Sequence, residues 1–144
     1  STAETKDSSD PSGFCAGEKS SYQLLFKYNK KEIDDQNQDY SAFIEQLSKC
    51  MKANPDVIIS IESSASTVPT STFKSNNQLA ELRAWSAEKK IRNSLVKNGL
   101  KKNQIKFATP ITLVQGPEYK KDAVEQASVY EQFQYIKIKT SIKK

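Results

Sequence analysis

Lys52-Ala53-Asn54-Pro55-Asp56-Val57-Ile58-Ile59-Ser60-Ile61-Glu62 changes periodicity halfway along, and that change decides the fold class. Before it, Tyr40, Phe43, Ile44, Leu47 and Met51 recur at helical spacing, with Cys50 beside Leu47 on the same stripe. This is an amphipathic helix over residues 39–52. Asn54-Pro55-Asp56 ends it and turns the chain, because proline lacks an N–H and its neighbours favour turns. Beyond the turn the period is two. Val57, Ile59 and Ile61 face one way, while Ile58, Ser60 and Glu62 face the other, so residues 57–63 form a strand.

The pattern extends in both directions. Upstream, Tyr22, Leu24, Phe26 and Tyr28 alternate and predict a first strand over 22–28. Residues 1–20 are rich in Ser, Thr, Asp, Glu, Lys and Gly and read as a flexible lead-in, which leaves 21–144 as the folded domain. Downstream, Ser63 to Thr72 is a run of small and hydroxylated residues, read as a loop at the strand's end. A second helix follows over 75–98. Its inner stripe is Ala80, Ala84, Ala87, Ile91 and Leu95, small enough to bring it close to a sheet, and Asn98-Gly99 stops it. Ile105-Lys106-Phe107 starts a third strand that Pro110 interrupts or ends. Residues 115–127 contain Gly116-Pro117 and many charges and read as a long loop with a helical turn. The last strand covers 134–141, with Ile136 and Ile138 inward and Tyr135, Lys137 and Lys139 outward. The order β-α-β-α-β-β predicts an α/β fold, an α+β sandwich with two helices on one face of a mixed sheet.

Composition narrows the chemistry. The chain has 144 residues, the size of one domain, and a net charge of +5. The lysines fall in scattered pairs, such as Lys30-Lys31, Lys89-Lys90 and Lys120-Lys121. No basic stripe interleaved with aromatics appears, so the charge reads as surface solubility and not as nucleic-acid binding. No apolar run is long enough for a transmembrane segment. The chain begins at Ser1 without methionine and reads as a fragment of a larger protein. It has no histidine, only four glycines, no phosphate loop, no calcium-loop spacing and no nucleophile motif. The expectation is a binding domain, not an enzyme, without a metal or cofactor. Its two cysteines, Cys15 and Cys50, lack zinc or redox spacing. They form one disulfide in an oxidising compartment or remain separate thiols with Cys50 packed as a small apolar group.

Residues 52–62 are similar to the corresponding segment of OmpA-like domains, periplasmic modules that hold envelope proteins to peptidoglycan. Asn76, Leu79, Arg83 and Ala84 fall at the intervals of that family's helix start, and 26–33 resembles its first strand and turn. The likeness spans residues 22–107 and, loosely, the last strand. It implies a non-catalytic, outer-membrane-associated domain in the periplasm, bound to peptidoglycan. In the family an aspartate after the second strand takes the ammonium of the stem peptide's diaminopimelate, and the arginine takes a carboxylate. Opposite charges at fixed separation suit a zwitterion, and arginine offers a bidentate fork.

The arginine is present here as Arg83. The aspartate is replaced: Ser63, Ser64, Ala65 and Ser66 stand where the family reads glycine, histidine, threonine and aspartate. Before the last strand, Phe133, Gln134 and Tyr135 replace the family's asparagine and arginine. A lost charge-assisted hydrogen bond weakens binding by about tenfold to a hundredfold. The resemblance therefore implies an altered site. Arg83 holds a carboxylate, and the hydroxyls of Ser64, Ser66 and Thr67, with Asn76, supply neutral hydrogen bonds. Arg83 also fits a structural pairing with Glu81 or Glu62. The alternative function is a protein–protein interaction module of an envelope assembly that no longer binds peptidoglycan, with Tyr119 and Tyr130 of the 115–132 segment as anchors.

Overall fold

The computed structural model describes residues 22–25, 31, 33–34, 36–70 and 72–142. The expected lead-in over 1–20 and the continuation of the first strand over 26–28 lie outside the described residues. The elements run β1 (Tyr22–Leu25), α1 (Gln38–Ala53), β2 (Val57–Ala65), α2 (Asn76–Lys97), β3 (Ile111–Val114), α3 (Ala127–Glu131) and β4 (Tyr135–Ile142), with a short 3-10 turn at Lys102–Gln104. The sheet order is β1-β4-β2-β3. β2 and β3 are parallel, while β4 is antiparallel to both β1 and β2. The mixed sheet and the two long helices match the expectation, and α3 adds one short helix to the predicted order.

The opening segment folds as its pattern requires. The Asn37 side chain accepts from the Tyr40 N–H at 3.0 Å and caps the start of α1. At the other end Asn54 N–H closes on the Cys50 carbonyl. The Asn54 side chain then accepts from the Asp56 N–H at 3.0 Å, a local turn that launches β2. Val57, Ile59 and Ile61 are buried with Ile136 and Ile138 of β4, and the apolar stripes of α1 and α2 cover them in one cluster. Register explains the match: Ile61 stands opposite Ile138 and Ser63 opposite Ile136, so the inward residues of both strands share one face. Small residues on α2 allow close approach. The Ser63 hydroxyl reaches the Ala80 carbonyl at 2.6 Å, a contact that a larger neighbour would block. Helix α2 ends at Gly99, whose φ of 101° lets the Leu100 N–H turn back to the Leu95 carbonyl at 3.1 Å.

Two sequence boundaries need correction. The second strand does not end at Ser63. It continues to Ala65, because Ser64 and Ala65 pair with β3 and Ser64 pairs with Tyr135 of β4. The regular third strand lies after Pro110, not before it. Phe107 makes one isolated parallel bridge to Ile59, and the ladder resumes at Ile111. Proline has no N–H to donate, so it splits the pairing along β2 into two pieces. Cys50 is buried and disulfide-bonded. The chain's other cysteine, Cys15, lies outside the described residues.

Candidate functional site

Topology brings three distant segments together at the end of β2. β4 lies beside β2, so Gln134, just before β4, sits next to the Ser64–Tyr135 pair. α2 packs across the same strand end, and Arg83 falls on its buried stripe with Leu79, Ala80, Ala84 and Ala87. Arg83 is fully buried. One guanidinium nitrogen donates to the Ser64 carbonyl at 3.1 Å, and the other to the Gln134 side-chain oxygen at 3.0 Å. Burial pulls its pKa down from the usual guanidinium range to about 10, because a charge away from water loses solvation. Glu62 accepts instead from the Tyr135 hydroxyl, and Glu81 is exposed.

The other predicted residues have separate placements. The Ser64 carbonyl meets Arg83, but the Ser64 hydroxyl accepts from Gln115 Nε2 at 3.0 Å. That amide also donates to the Tyr135 hydroxyl at 3.0 Å. Glu62, Ser64 and Tyr135 thus share the sheet face away from the helices, as strand alternation demands. Burial and the Glu62 carboxylate, in that order, raise the Tyr135 pKa. Ser66 is buried and accepts from the Val68 N–H at 3.3 Å. The Thr67 hydroxyl donates to the Pro117 carbonyl at 2.5 Å and ties its loop to the long segment before β4. Asn76 is half-buried at the head of α2, two turns before Arg83 and on the same side.

A hollow of about 400 Å³ opens beside this cluster. Val68 and Pro69 form one wall; Tyr119, Ala123, Ala127 and Tyr130 form the other, with Glu131 and Gln134. Val124, 87% exposed, stands at the rim. The Tyr130 hydroxyl donates to Asp122 at 2.6 Å and its ring meets Tyr119 edge-on at 5.9 Å, which organises this segment. That carboxylate is the first cause of a raised Tyr130 pKa, ahead of burial. Gln134 therefore holds Arg83 and lines the hollow. In the sequence Gln134 stands out only as the first residue of the last strand and as a departure from the OmpA-like pattern, and nothing there marks it, or Glu131, as a site residue. The usable signal was position: a residue entering β4 meets the end of β2 whenever the two strands are neighbours.

Gly116 supports this geometry. Its φ is 109°, and a Cβ there would lie 2.8 Å from a Phe133 ring carbon. Gly116→Ala is expected to cost about 1–3 kcal/mol through the left-handed backbone and the displaced ring. Urea unfolding of the variant measures this; an unchanged midpoint would contradict it.

No protein-family model matches the sequence, and neither does any curated protein. Solved structures do resemble the fold. The peptidoglycan-associated lipoprotein from Burkholderia pseudomallei matches at 18% identity, with 82% of this chain and 88% of that one covered and a TM-score of 0.53. A periplasmic domain of MotB matches at 22% identity over 86% of this chain, with a TM-score of 0.51; the match spans 64% of that domain's length. A putative MotB-like protein from Desulfovibrio vulgaris matches at 14% identity, with 85% and 75% covered and a TM-score of 0.52. The chain has the OmpA-like fold.

Proposed function

We propose that this chain is a non-catalytic domain that fastens an envelope protein to peptidoglycan in the periplasm, associated with the outer membrane. The observation that carries the reading is Arg83, set at the end of β2 behind a residue that lines a ligand-sized hollow. The fold it shares with a peptidoglycan-associated lipoprotein supports the same reading. A stem-peptide carboxylate replaces the Gln134 oxygen on the guanidinium. The exchange favours the ligand, because a carboxylate adds the attraction of a full negative charge and can accept from both forks of the guanidinium. Thr67 retains acceptor lone pairs and Asn76 offers both donor and acceptor, so these two half-buried residues are the ones left to supply neutral hydrogen bonds, while Ser64 and Ser66 are buried within the fold.

The test is co-sedimentation with purified sacculi. Wild-type protein is expected in the pellet and Arg83→Met in the supernatant. Wild-type protein left in the supernatant would overturn the reading. Exposed Trp85 and Val124 favour a second reading, a protein-interaction module. That reading predicts capture of one envelope protein that Trp85→Ser or Val124→Ser abolishes, with no retention on sacculi.

A further inference from the structure

Glu131 occupies an unusual position for a carboxylate. The hollow it lines is otherwise walled mainly by Val68, Pro69, Ala127 and the Tyr119–Tyr130 ring pair. In a chain of net charge +5, the lining carries one acid and no base. Among the described residues, no cation pairs with Glu131. Glu131 is half-exposed, and the protein itself offers its carboxylate no charged partner, so its acceptor positions on the hollow side are open to a donor. A ligand ammonium would fill that capacity. The walls suit an aliphatic stem, and the tyrosine rings add attraction for a cation. The volume lies in the range of small-molecule sites.

We infer that the hollow is an ammonium site for a primary amine on an aliphatic stem, with Glu131 as its counter-charge. An anion is disfavoured by the same carboxylate. The ligand's identity rests on the peptidoglycan reading: there the amine is that of the stem peptide's diamino acid, and its neighbouring carboxylate takes Arg83 from Gln134. The acid that Ser66 lacks is thus supplied from α3. The ammonium site itself stands on the lining alone.

The experiment titrates the full chain, wild type and Glu131→Gln, by NMR. One probe is pentane-1,5-diamine, which has no carboxylate. The second is a stem tripeptide ending in meso-diaminopimelate, and the third is that tripeptide with its side-chain amine acetylated. Glu131→Gln is expected to weaken the first two by about tenfold to a hundredfold. Acetylation is expected to weaken the tripeptide by the same factor, a comparison that needs no variant. If the diamine binds through Glu131 and the tripeptide does not bind, the ammonium site stands and the peptidoglycan reading fails. If the tripeptide binds both proteins equally, and acetylation changes nothing, peptidoglycan recognition stands and the Glu131 site is overturned. Failure of both amine probes on wild type overturns the site as well.

Discussion

Arg83→Ala is expected to lower stability by about 2–8 kcal/mol and to abolish retention on sacculi. The stability figure combines opposing effects. Removing a long, fully buried side chain leaves a cavity, which in cores costs about 3–5 kcal/mol for large residues. It also orphans the Ser64 carbonyl and the Gln134 side-chain oxygen, each at about 1–3 kcal/mol. Against this, the protein no longer buries a charge. Its pKa of about 10, well below the usual guanidinium range, corresponds to a desolvation cost of about 3 kcal/mol. Arg83→Met separates the effects. It fills most of the volume and removes the charge, so its expected loss is about 1–2 kcal/mol. Adding Gln134→Leu removes one orphaned acceptor and should recover part of that loss. Both proteins stay folded but lose sacculus binding, which distinguishes the ligand role from a structural one. Chemical denaturation measures the first quantity and co-sedimentation the second. A folded Arg83→Met protein that still pellets with sacculi would remove Arg83 from the ligand site.

The same burial sets a pH signature. Below about pH 10 the folded and unfolded states both hold the Arg83 proton, and the desolvation cost is present in full. Above about pH 10, until the unfolded-state arginine also titrates, the unfolded state binds more protons than the folded one, so this group makes stability rise with pH. Tyr22, Tyr130 and Tyr135 act oppositely, because their pKa values are raised in the folded state. Their contribution is present below pH 10 and is lost as pH rises through the folded values. Wild type and Arg83→Met both carry these tyrosines, so they cancel in the difference. Stability of wild type minus variant should climb above pH 10.

Much of this fold was legible because its signals are local. The helical stripe Tyr40–Met51, the alternation of Val57, Ile59 and Ile61, and the Asn98-Gly99 stop each depend on nearby residues. The third strand was misplaced because Ile105 and Phe107 carry the apolar signal, while the regular pairing lies at Ile111–Val114, where Ile111, Thr112 and Val114 are exposed. Arg83 stands out in the sequence only through the resemblance of its helix start to OmpA-like domains, and its burial is not legible there. It lies on the inner stripe, three residues from Ala80 and four from Ala87, but a charged residue does not register as part of an apolar stripe. Gln134 could not be found locally. Its bond to Arg83 depends on β4 lying beside β2, which is a property of the sheet order.

Reducing the disulfide at Cys50 is expected to cost about 3–4 kcal/mol. The only other cysteine is Cys15, and a bond between them closes a loop of roughly 35 residues, for which chain entropy gives that figure. Melting should fall on the order of 10 °C with reductant. Intact mass without reduction checks the bond first. Cys50→Ala should melt like the reduced protein, because a buried thiol packs much as a small apolar group does. An unchanged melting temperature in fully reduced protein would show that the bond contributes nothing. The site should respond differently from the fold. Cys50 packs in the main cluster on the α1 stripe; that cluster reaches the Arg83 stripe only through Ala84 and Ala87, while Ala65, Leu79 and Ala80 beside Arg83 form a separate cluster. Below the reduced protein's melting range, sacculus binding should therefore survive reduction and still require Arg83. Such a bond persists in oxidising compartments, so its contribution would be available where peptidoglycan is, and its loss would weaken the domain without altering what the domain recognises.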